Sequence, residues 1–146
     1  MTEPVRLLDV NVLVALTVDA HVHHGAAHRA LDRMPGAWAT CPLTESALVR
    51  LLMNPATTGR RVAAVDAVAV LSAIRTQPGW TFIADATSLA EATIDHSVMM
   101  GTKQVTDFHL VNLAAAHHAL LATFDSRLPG ALVESDRRHV EVIAAS

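Results

Sequence analysis

The sequence predicts an α/β fold, a mostly parallel sheet flanked by helices, and three observations carry that expectation. Short apolar runs alternate with longer amphipathic or Ala-rich stretches, the order expected of βα units. Pro and Gly punctuate the junctions at Pro35-Gly36, Asn54-Pro55, Gln77-Pro78-Gly79 and Leu128-Pro129-Gly130. A chain of 146 residues, 51% hydrophobic and 17% charged, is long and apolar enough to bury one sizeable core.

Taken in order, residues 5–8 (VRLL) are a short apolar run stopped by Asp9 and read as a buried strand. Residues 12–17 make a helical turn or two, and residues 21–34 an Ala-rich second helix. Residues 37–41 (AWATC) are the second strand. Pro42 suits the first turn of a helix running to about Met53, where Asn54-Pro55 stops it. Residues 61–75 are apolar nearly all round, as in a buried helix, and residues 80–84 (WTFIA) are the third strand. Ser88 with Glu91 makes a capping-box pattern that opens another helix. Residues 106–118 are the clearest late helix, followed by a strand at 120–124, a turn at 128–130 and a last strand at 139–143. No repeat, low-complexity tract or linker interrupts the series.

A formal charge of −3 excludes a basic nucleic-acid coat protein, but not a nuclease whose acids cluster around a cation. No apolar run approaches the ~20 residues of a membrane-spanning helix, and the first ten residues lack a signal-peptide core. A lone Cys41 excludes an internal disulfide framework and fits a reducing compartment. The expected location is therefore cytoplasmic, with no membrane partner.

Four carboxylates stand where apolar sequence turns into something else: Asp9, Glu45, Asp107 and Asp125. Asp9 and Asp125 each follow a strand-like run. Glu45 lines up with Leu48, Val49 and Leu52, and Asp107 with Leu110, Val111 and Ala114, so both lie on the inward stripe of a helix's first turn. In a parallel sheet, strand ends and the following helix starts share one edge, where open α/β folds bind ligands. Each acid alone could be a cap or a turn residue. Four on one edge point to a hard divalent cation, Mg²⁺ or Mn²⁺.

LLDVNVLVAL, TES, VTDFHLVNLA and LATFD, in that order, resemble the PIN-domain ribonucleases, and within them the VapC-type toxins of bacterial VapBC toxin–antitoxin pairs abundant in mycobacteria. The likeness spans residues 1–146 and implies one α/β/α domain with a central parallel sheet. It implies metal-site acids at Asp9, Asp107 and Asp125, a catalytic role for Glu45 beside them, and supporting roles for Asn11 and Thr123. Ser126 and Arg127 stand where some relatives carry a further acid. It also implies a homodimer and a partner antitoxin of the VapB type. The expected activity is Mg²⁺-dependent hydrolysis of structured RNA, such as transfer or ribosomal RNA, by a metal-activated water, leaving 5′-phosphate ends.

Arg50, Arg60, Arg61, Lys103 and Arg127 are candidates for RNA phosphates, although surface charge explains any one of them. Trp38, Trp80 and Phe82 lie in strand-like contexts and read as core. Two rival readings share these features. One is a metal-dependent nuclease acting on DNA. The other is a non-catalytic module whose His21, His23, His24 and His28, with His21, His24 and His28 on one helical face, bind a transition metal.

Overall fold

A computed structural model of the chain describes residues 3–145. Five short strands form one fully parallel sheet: β1 (Arg6–Leu8), β2 (Trp38–Thr40), β3 (Trp80–Phe82), β4 (Leu120–Thr123) and β5 (Val140–Val142), in the order β3-β2-β1-β4-β5. Register is set with Leu7 opposite Ala39 on one side and Leu121 on the other. The helices are α1 (Val10–Thr17), α2 (His24–Arg33), α3 (Pro42–Leu52), α4 (Pro55–Thr58), α5 (Ala64–Ile74), α6 (Val105–Ala116) and α7 (Leu128–Ala131). This is the expected α/β/α arrangement.

Strand alternation sorts the core into two layers. Leu7, Ala39 and Leu121 face α6 and α7, packing with Phe108, Leu110, Val111 and Leu128. Leu8, Trp38 and Ala122 face the opposite way, onto Val12 and Leu13 of α1, Leu48 and Leu52 of α3 and Ala67 and Ile74 of α5. Helix ends are locally specified. Pro42 occupies the first turn of α3, where its missing N–H is no loss, and the Cys41 N–H donates to Thr44 Oγ1 at 3.1 Å. At the end of α6, His118 takes a positive φ of 52°, and Ala119 N–H closes back on Ala114 O at 2.8 Å. That Schellman-type closure turns the chain directly into β4.

Several expectations change. The stretch after β3 forms no helix at Ser88; Ser88 Oγ accepts from Ala90 N–H at 3.0 Å, and a single 3₁₀ turn, Leu89–Glu91, follows. Distant side chains take the backbone donors a helix would need. Asn112 Oδ1 receives Thr93 N–H at 2.7 Å, and Asp136 receives Asp95 N–H at 2.8 Å. The helix expected over 61–75 begins only at Ala64 and is not buried all round: Val65 is 75% exposed and Val68 48%. Residues 128–131 form a short helix rather than a turn. Residues 21–23 precede α2, leaving only His24 and His28 of the histidine cluster on it. Phe82, expected in the core, is 38% exposed.

The strand order fixes where a ligand site belongs. The chain runs outward from β1 to β2 and β3, then returns to lay β4 against the other side of β1. Connections leaving β1 and β4 therefore diverge, opening a crevice at their carboxyl ends.

Candidate active site

Asp9 and Asp125 both stand at that crevice, one just beyond β1 and the other just beyond β4. Asp9 is the N-cap of α1, with Oδ1 accepting Val10 N–H at 2.7 Å, so the capping alternative is part of its role. Its other oxygen accepts the Thr123 hydroxyl at 2.8 Å. The Thr123 oxygen in turn accepts Asn11 Nδ2 at 3.0 Å and Asp125 N–H at 3.1 Å. Asn11 Oδ1 accepts Phe124 N–H at 3.2 Å. Asn11 and Thr123 thus bind the start of α1 to the end of β4 and hold Asp9 in one orientation.

Asp107 reaches the same place from the first turn of α6. Burial, and then the charges of Asp9 and Asp125, push its carboxyl up to about 6. Asp9 is raised as well, chiefly by burial, against which Thr123 and the Val10 N–H act; the charge of Asp125 adds to the rise. Negative charge gathered so that it raises both Asp9 and Asp107 forms an electrostatic sink for a cation. Among the described residues, no group of three or more Asp, Glu, His or Cys side chains is drawn in tightly enough to hold an ion as it stands. The oxygen donors nonetheless have the right chemistry for Mg²⁺ or Mn²⁺, and Mg²⁺ retains waters that bridge loosely set carboxylates.

Glu45 has partners of its own. Buried at the start of α3, it accepts Thr40 Oγ1 at 2.6 Å and Arg75 Nη1 at 3.0 and 3.3 Å. Thr40 Oγ1 accepts Trp80 Nε1–H at 2.9 Å, and the Arg75 guanidinium lies over the rings of Trp80 (4.5 Å) and Phe82 (5.0 Å). Glu45, the fourth of the expected acids, is thus paired to an arginine along the same sheet edge. Sequence reasoning missed Arg75, because nothing in its spacing, at the end of a different helix, ties it to Glu45.

The PIN-domain family profile matches residues 6–131, a span containing all four acids. The chain belongs to the PIN-domain family. It is 42% identical over 121 residues to Ribonuclease VapC38 of Mycobacterium tuberculosis, covering 82% of this chain and 84% of that protein. Ribonuclease VapC29 of the same organism is 43% identical over 122 residues, covering 84% and 86%. These likenesses put the chain among the VapC members of the family. Its fold is similar to the crystal structure of Mycobacterium tuberculosis VapC20, titled a sarcin–ricin loop cleaving toxin. The TM-score is 0.60 at 18% identity, over 88% of this chain and 97% of that one, a likeness of fold alone.

In this PIN domain the histidine cluster has a structural task. His24 Nδ1 lies 2.8 Å from Ala15 O and His28 Nε2 lies 3.0 Å from Leu16 O, so both rings serve carbonyls left unpaired at the end of α1. His21 Nδ1 accepts His23 N–H at 3.0 Å. Among the described residues no three of these side chains group as ligands, so the transition-metal reading gains no support. Among the candidate phosphate contacts, Arg127 lies beside the acids, its backbone N–H 3.0 Å and its Nε 3.5 Å from Asp125 Oδ1. Lys103 is exposed in the 3₁₀ turn that leads into α6. Arg60 lines a separate cleft with Asp19 and Thr17, beyond the opposite end of α1 from Asp9. Arg50 and Arg61 are exposed without a contact to the acids. A second polar pair was also missed: Asp85, after β3, bonds the His109 ring of α6. Burial opposes ionisation of Asp85, but the Thr87 hydroxyl, His109 and the Thr87 N–H outweigh it and hold the carboxyl below its usual range. No helix is long and apolar enough to cross a membrane among the described residues.

Proposed function

We propose that this chain is a divalent-metal-dependent endoribonuclease, the toxin of a type II toxin–antitoxin pair. One observation carries the reading: Asp9, Asp107 and Asp125, far apart in sequence, come close enough at the crevice between β1 and β4 that Asp125 disfavours the charge of Asp9, and both disfavour that of Asp107. The relatives named ribonucleases support RNA as the substrate. Asp9, Asp107 and Asp125 would hold Mg²⁺ or Mn²⁺. When bound, such an ion supplies Lewis-acid charge that acidifies water and offsets charge growing on the phosphate.

The chain's own residues do the rest. Thr123 and Asn11 fix the orientation of Asp9. Glu45 orients the attacking water and accepts its proton. Arg75, held by Glu45 over Trp80 and Phe82, and the exposed Lys103 and Arg127 offer cations to the RNA backbone. Because water is the nucleophile, the 2′-hydroxyl is not consumed and the products carry 5′-phosphates. Structured RNA, a VapB-type antitoxin and a second copy of the chain are the proposed partners, in the cytoplasm. The bare valines of α5 are apolar surface suited to such contacts.

Incubation with structured RNA and with DNA, in Mg²⁺ and in chelator, tests the reading. RNA alone should be cut, only with metal, and Asp9→Asn should remove the activity while the protein stays folded. Equal cutting of DNA, or full activity in chelator, contradicts it.

A further inference from the structure

A cleft of about 600 Å³ lies between the starts of α3 and α6, outside the machinery assigned above. Its lining includes Leu43 and Ser46 of α3, Asp85 and Leu89 after β3, and Val105 and His109 of α6. The hollow is shallow and open to solvent, with apolar walls and a few fixed polar groups. The polar groups are pre-oriented. Asp85 Oδ1 accepts Thr87 N–H at 2.9 Å and Thr87 Oγ1 at 2.7 Å, and its other oxygen bonds His109 Nε2. That bond uses Nε2 and turns the other ring nitrogen, Nδ1, away from Asp85.

Position and charge narrow the occupant. Ser46 follows Glu45 on α3, so the cleft opens beside the Glu45–Arg75 pair, while Val105 and His109, two residues either side of Asp107, stand on the other side of α6 from that acid. It shares Pro42 and Ser46 with the neighbouring hollow that Glu45 and Phe82 line. No Lys or Arg lines it, so it is not built for phosphate. Apolar walls suit the faces of a planar heteroaromatic ring, and an imidazole with a hydroxyl suits its hydrogen-bonding edge.

We propose that this cleft is a nucleobase pocket, taking one unstacked base of the RNA next to the cut, its faces against Leu43, Leu89 and Val105 and its edge on His109 and Ser46. The assignment rests on the ribonuclease reading and adds base recognition to a chain with only 3% aromatic residues.

The test titrates the metal-free chain, in chelator, with AMP, GMP, CMP and UMP, and with ribose 5-phosphate as the control lacking a base. The readout is the NMR shifts of the Leu43, Leu89 and Val105 methyls and the His109 ring. Saturable shifts at these residues are expected for nucleotides, strongest for one base and absent with ribose 5-phosphate. Affinity should weaken at least about tenfold in His109→Phe and in Ser46→Trp, whose exposed position lets the indole fill the cleft without disturbing the core. Shifts independent of the base, or unchanged in Ser46→Trp, overturn the proposal. The two readings fail separately. Asp9→Asn should still bind nucleotide here, and metal-dependent RNA cleavage without any base-dependent shift would sink the pocket alone.

Discussion

Thr123 engages three partners through one hydroxyl, donating to Asp9 and accepting from Asn11 and the Asp125 backbone. Such a group sets carboxylate orientation without touching the substrate. Thr123→Val should therefore lower RNA cleavage about 10–100-fold while the fold persists, as loss of a partner behind a metal ligand typically does. Asp107 gives a pH signature. Its folded value of about 6 lies above the 3.8 of a free aspartate, so the folded state holds the proton more tightly. Its contribution to metal-free stability is fully present below about pH 4 and is lost as pH rises through about 6. Asp107→Asn should stabilise the metal-free protein at about pH 8 by ~1 kcal/mol, after discounting for solvent screening of a half-buried group. Denaturant unfolding at two pH values checks it; equal stabilisation at about pH 4 and pH 8 would contradict the coupling. At this scale the sequence was legible for Asp9, Asp107 and Asp125, each at a hydrophobic boundary. It was silent on Arg75, because an ion pair across 30 positions leaves no local periodicity.

At the scale of elements, Thr17 at the end of α1 donates back to Leu13 O and Val14 O, and the histidines of α2 supply the donors for the Ala15 and Leu16 carbonyls. His24→Ala and His28→Ala should each destabilise the fold by about 1 kcal/mol, the usual net worth of such a bond, and neither should change affinity for Zn²⁺. Thermal unfolding with and without Zn²⁺ reads both; a stoichiometric Zn²⁺ stabilisation lost in either variant would revive the metal-module reading. Three histidines at helical spacing suggested ligands because a sequence cannot show that the helix begins only at His24. The capping-box pattern at Ser88 misled for a related reason. Its local preference was real, as the Ser88–Ala90 bond attests, but Asn112 and Asp136 draw the next residues away. The apolar run over 64–74 announced a helix correctly and overstated its burial, since periodicity cannot tell the core from a surface awaiting a partner.

For the whole molecule, the alternation of strands and helices carried the parallel α/β architecture, because each unit is specified locally by apolar runs and their Pro and Gly stops. Strand order was not legible: it depends on which strand β4 chooses, a tertiary outcome. That choice makes the site, since pairing β4 with β1 brings Asp125 and Thr123 to Asp9. The central claim is that this convergence serves one divalent cation. A calorimetric titration with Mn²⁺ at about pH 8, above the Asp107 value, tests it most directly. The account predicts saturable binding to wild type, weakened at least about tenfold in each of Asp9→Asn, Asp107→Asn and Asp125→Asn and unchanged in His28→Ala. Equal affinity across wild type and the three acid variants would contradict it.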